Sequence, residues 1–95
     1  MADEIISMNV RLEGEVQGIG FRDFAVREAN HRGLKGWVRN RNDGTVEMVA
    51  CGMRGDVEAF IAACVVGPRG AKVRAFNLVP TELPNTIGFT RRPSV

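Results

Sequence analysis

The stretch Gly36–Cys51, GWVRNRNDGTVEMVAC, reads as two strands joined by a tight turn, and the remaining elements can be placed outward from it. Gly36 to Arg41 and Thr45 to Cys51 carry β-branched and aromatic residues that suit a pleated surface. Between them stands Asn42-Asp43-Gly44, whose Asp-Gly pair readily takes the positive backbone angles of a hairpin. Met48 continues the apolar face of the second strand. The turn already accounts for Asp43, so Asp43 and Glu47 do not form an acid/base pair.

On the N-terminal side of the hairpin, Phe21, Phe24, Ala25 and Ala29 recur at helical spacing through FRDFAVREANHR. Asp23 falls in the favourable first turn, and Gly33 stands where a C-cap glycine belongs. Further out, Ile6, Met8, Val10 and Leu12 alternate with Ser7, Asn9, Arg11 and Glu13, the period of a strand with one buried face. On the C-terminal side, Asp56 introduces Val57, Phe60, Ile61, Cys64 and Val65 at spacings of three and four, and Gly67-Pro68 ends this second helix. Lys72 to Val79 and Ile87 to Arg92 supply the last strand signals, with Pro80 and Pro84 in a loop between them.

The order is β-α-β-β-α-β with a short extra strand. Right-handed crossovers then place both helices on the same face of the sheet. The expectation is an α+β, ferredoxin-like sandwich: an antiparallel sheet of four to five strands with two helices packed on one face. Residues 1–95 are expected to form a single domain, with Trp37, Phe21, Phe24, Phe60, Phe76 and Phe89 in its core.

Composition narrows the class of protein. With 44% hydrophobic and 25% charged residues in 95, the chain suits one soluble core that needs neither metal nor disulfide staples. Its net charge of +2 is spread along the chain without the basic run of a nucleic-acid arm. The start, MADEIISMNV, lacks the basic and apolar regions of a signal peptide, and no stretch is long enough to span a membrane, so a cytoplasmic protein is expected. Cys51 and Cys64 fit no metal spacing and read as small buried apolar residues, with a disulfide between them left open. His31 falls near the end of the first helix, too far from its start to serve a site there, and reads as a surface residue.

Two places carry chemistry. Gly18-Ile19-Gly20 lies between the end of a strand and the start of a helix, where glycines let backbone N–H groups converge and the helix adds free donors. Arg22 follows with a fork of donors matched to phosphate oxygens. The segment reads either as an anion cradle or as a tight connection; a third glycine for a dinucleotide site and a Gly-Lys-Ser/Thr for a Walker loop are both missing. Asn40 ends a strand just before its hairpin, where an amide can either orient a water or help the turn.

Gly14 to Arg22, GEVQGIGFR, and Gly36 to Glu47, GWVRNRNDGTVE, together with Gly67 to Val73, GPRGAKV, strongly resemble the signatures of the acylphosphatases, with Ile19 where valine is usual. The resemblance covers nearly the whole chain and implies hydrolysis of acyl phosphates. By it, Arg22 binds the phosphoryl group, the backbone amides from Gln17 through Gly18, Ile19 and Gly20 to Phe21 cradle it, and Asn40 positions the attacking water. In relatives the end of the chain can help to hold that arginine; here Pro93-Ser94-Val95 runs past the last strand.

The chemistry agrees with this economy of parts. Hydrolysis of a carboxylic-phosphoric anhydride asks mainly for positioning and for stabilisation of charge on the phosphoryl oxygens. A good leaving group makes a metal, a cofactor or a covalent nucleophile less necessary, and none is expected. The substrate phosphate itself is then the expected proton acceptor. The expected partner is a small acyl phosphate bound by a monomer, with no membrane or nucleic acid. The alternatives are a phosphate-sensing module on the same fold, and RNA binding through the sheet, for which the series of strand aromatics is missing.

Overall fold

The computed structural model describes residues 4–95. Alternation in the first segment gives β1 (Ile5–Glu15), and the helical periodicity gives α1 (Phe21–His31). The hairpin forms β2 (Lys35–Asn40) and β3 (Val46–Met53), followed by α2 (Arg54–Val66), β4 (Lys72–Pro80) and β5 (Phe89–Arg91). Asp43 Oδ1 accepts from the backbone N and the hydroxyl of Thr45, fixing the hairpin loop as its sequence suggests. α2 starts two residues before Asp56, directly after β3, so that Asp56 stands in its first turn rather than introducing it.

The sheet order is β4-β1-β3-β2-β5. β1 pairs antiparallel with β3 and β4, and β2 antiparallel with β3, as expected. β5 departs from the wholly antiparallel expectation and pairs parallel with β2. The reason lies in the path of the chain. Registers Met8↔Pro80, Ile5↔Met53 and Lys35↔Cys51 put the end of β4 and the start of β2 at the same end of the sheet. The link 81–88 crosses that end to the opposite edge, so the chain re-enters beside the start of β2 and must run in its direction.

Both helices pack on one face over a core of Val10 and Leu12 from β1, Val38 from β2, Met48 and Ala50 from β3, Phe21 and Ala25 from α1, and Val57 and Phe60 from α2. Phe60 is fully buried and meets Phe89 edge-on, ring centres 5.4 Å apart, so that α2 touches β5 through this pair although β5 packs mainly against α1. One aromatic expectation fails. Phe76 is 49% exposed because β4 is an edge strand that neither helix covers fully. Trp37 is buried as expected, though outside the main core cluster, with the guanidinium groups of Arg39 and Arg92 over its ring, 4.7 and 4.6 Å from the ring centre. Cys51 and Cys64 are free and buried, and burial pushes the Cys64 thiol up to about 12. His31 is exposed. Among the described residues no helix is long and apolar enough to cross a membrane.

Candidate active site

Where β1 ends, Val16 is fully buried and Phe21 nearly so, so that the four residues between them are held at both ends by the core. Gly18 and Gly20 take left-handed φ angles of 79° and 78°. Such angles cost an L-residue roughly 1–2 kcal/mol, which explains glycine at both positions. Gly20 is also the N-cap of α1, and among the described residues no side chain caps it. The first-turn amides of the helix are therefore left to face whatever occupies the space beside them.

That space is a cavity of about 80 Å³ lined by Val16, Gln17, Gly18, Gly20, Phe21, Arg22, Asp23, Asn40 and Arg91. The fold thus brings Arg22 and Asn40 together although eighteen residues separate them in sequence. Of the cradle residues, Ile19 is the exception: its side chain packs partly buried against the core, and it does not line the cavity. Phe21 also turns its ring inward, edge-on to Phe24.

Asn40 reaches the cavity from the end of β2. Its backbone carbonyl accepts from Val95 N at 3.1 Å, and Val95 O accepts in turn from Asn42 N at 2.5 Å, so that the tail lengthens the parallel pairing begun by β5. The side-chain Oδ1 of Asn40 is buried with no hydrogen-bond partner among the described residues. A buried acceptor in that state costs of order 1–3 kcal/mol unless a donor reaches it.

The side chain of Gln17 turns away from the cavity toward the hairpin. Its Nε2 donates to Arg41 O at 2.9 Å and to Thr45 O at 2.8 Å, the two carbonyls at the mouth of the hairpin. The side chain ties the cradle to the strand that carries Asn40, and only the backbone of Gln17 is left for an anion.

Asp23 and Arg91 complete the lining, with Arg91 Nη1 donating to Asp23 Oδ1 at 2.6 Å. Nothing in the sequence singles out Arg91, which sits in a three-residue strand with no motif around it. Glu47 stands outside the cavity, 6% exposed, and accepts from Asn9 Nδ2, Arg39 Nε and Arg41 Nη1. Burial opposes its charge, but these donors outweigh burial and hold the carboxyl at about 2, below its ordinary 4.5. Among the described residues no cluster of His, Cys, Asp and Glu is arranged to hold a metal ion.

Residues 8–91 match the acylphosphatase family model. The chain is 44% identical over 86 residues to a Rhodospirillum rubrum protein named acylphosphatase, covering 90% of this chain and 94% of that one. The crystal structure of acylphosphatase from Bacillus subtilis superposes with a TM-score of 0.87 at 33% identity, covering 94% of this chain and 99% of that one. Full-length HypF, in its phosphate- and nucleotide-bound form, matches with a TM-score of 0.88 at 26% identity, covering 99% of this chain and 12% of that one.

Proposed function

The chain belongs to the acylphosphatase family, and from that membership we propose how it hydrolyses the carboxyl-phosphate bond of acyl phosphates: Arg22 and the loop amides hold the phosphoryl group while Asn40 positions the water. One observation carries this reading. Asn40, whose buried side-chain Oδ1 has no hydrogen-bond partner among the described residues, lines the same small cavity as Arg22, the Gly18 and Gly20 turn and the start of α1.

In the reaction, the phosphoryl oxygens take N–H donors from residues 17–22 and the fork of Arg22. A water in the cavity donates one hydrogen to Asn40 Oδ1, which aims its lone pair at phosphorus. The new P–O bond forms as the bond from phosphorus to the carboxyl oxygen breaks, and the acyl group leaves as a carboxylate. The water's proton passes to a phosphoryl oxygen, and the products are the carboxylate and inorganic phosphate. Support for this proton path comes from the lining itself, whose one carboxylate, Asp23, is engaged by Arg91. The chemistry asks for no metal, because the anhydride brings a good leaving group and the cradle supplies the charge stabilisation. Residues 1–95 act as one domain and as a monomer in the cytoplasm, on a small acyl phosphate and without a nucleic-acid partner.

The test is hydrolysis of benzoyl phosphate in excess chelator, with inorganic phosphate as competitor. Arg22→Ala should lower kcat/KM by about 10²- to 10³-fold, the scale for loss of one preorganised charge-stabilising group. Asn40→Ala should lower kcat while leaving phosphate inhibition nearly intact, because water positioning matters on the reaction path alone. Equal losses in phosphate affinity and kcat for Asn40→Ala would remove its assigned role. Phosphate binding without turnover by the wild type would identify a sensing module instead. A pH–rate profile requiring a protein base near neutrality would refute the proton path.

A further inference from the structure

A carboxylate in the lining of an anion site needs an explanation. Asp23 suits the first turn of α1, whose partial positive charge favours an acid. It also borders the cavity assigned above to a phosphoryl group, where an uncompensated negative charge would repel the ligand. Arg91 neutralises it across 2.6 Å, and it borders the same cavity.

Neutralising Asp23 engages Arg91 Nη1, while a guanidinium also carries N–H donors on Nη2 and Nε. Its backbone is fixed from two sides. β5 is paired with β2 through Gly36↔Phe89 and Val38↔Arg91, and Asn30 on α1 exchanges hydrogen bonds with both N and O of Phe89. Phe89, two residues earlier and on the same face of the strand, is anchored in the core. Arg91 is therefore an arginine on a strand tied to both β2 and α1, paired with a carboxylate at the protein surface, with donors remaining at the edge of an anion cavity.

We propose that Arg91 is a second cation for the phosphoryl group, and that Asp23 is the brace that aims it. The assignment rests on the reading of this cavity as the phosphoryl site. The anion is then clamped between Arg22 on α1 and Arg91 on β5, so that its grip depends on both edges of the site.

The alternative role for Arg91 is to screen Asp23 and touch nothing else, and a double-mutant comparison separates the two. Inorganic phosphate affinity is measured by calorimetry, and KM and kcat with benzoyl phosphate, for wild type, Arg91→Ala, Arg91→Lys, Asp23→Ala and the double variant Asp23→Ala with Arg91→Ala. Arg91→Ala should weaken phosphate binding about ten-fold and raise KM by a similar factor with a smaller change in kcat, the signature of a binding contact. Arg91→Lys should recover part of the loss, and the double variant should bind phosphate as weakly as Arg91→Ala. Return of wild-type affinity in the double variant would overturn the proposal, since Arg91 would then act only on Asp23. Unchanged affinity in Arg91→Ala would overturn it too. Phosphate affinity is read whether or not the acyl phosphate is cleaved, so failure of the hydrolase reading shows in wild-type turnover and is distinguishable from failure of this one.

Discussion

Gln17 turns its side-chain amide toward two carbonyls and offers the cavity only its backbone. Loss of that tie frees the cradle to shift relative to Asn40. Gln17→Ala should therefore lower kcat by about 10- to 100-fold, the scale of a small misplacement of reacting groups, with a lesser effect on phosphate inhibition. Glu47 governs acid stability rather than chemistry. Its carboxyl lies near 2 in the folded chain against 4.5 ordinarily, so the stability it adds is complete above pH 4.5 and disappears as the pH falls toward 2. The difference amounts to about 3 kcal/mol at neutral pH. Urea unfolding of wild type across that range should show a steep acid limb, and Glu47→Gln should flatten it while lowering stability at pH 7. Arg22 and Asn40 are legible in the sequence because each sits in a long signature. Arg91 is not, because its place in the cavity lining depends on a strand pairing that no local pattern encodes. Asp23 is visible only as a helix-start acid, since a carboxylate's second neighbour is set by tertiary packing.

Among the elements, α1 and the β2–β3 hairpin could be read nearly to their ends, since periodicity, the C-terminal glycine and the Asp-Gly turn all act within a few residues. The start of α2 was less legible because Asp56, which looks like a cap, is an acid of the first turn, and the chain passes from β3 into the helix without a loop. The direction of β5 lies beyond any local pattern, being dictated by the crossing of 81–88. α2 holds to the sheet through Val57, Phe60 and Cys64. Phe60→Ala should cost about 3–5 kcal/mol in denaturant unfolding, as for other large core truncations. Phe60 does not line the cavity, so kcat measured well below the new midpoint should stay within about two-fold of wild type, a change worth less than 1 kcal/mol, and any loss should appear in KM through Phe89 and the Arg91 that follows it.

At the scale of the whole molecule, the cavity draws on the segment 16–23 apart from Ile19, on Asn40 and on Arg91, three parts of the sequence that only the finished sheet brings together. The layered α+β architecture was legible from the order of elements, whereas the mixed character of the sheet was not. Sheets whose neighbours are distant in sequence form slowly, because loop closure must precede the contacts that reward it. The packing of two guanidinium groups on Trp37 makes that process observable. It is the one tryptophan in a chain without tyrosine, and one of the two guanidinium groups over its ring comes from Arg92, just past the last strand. Its fluorescence should therefore register the arrival of that strand against β2. After dilution from denaturant, the emission change and the recovery of benzoyl phosphate turnover should share one rate constant, and turnover returning ahead of the emission would show a site complete without β5. The indole thus serves as an intrinsic optical clock, timing the moment at which a refolding chain becomes competent.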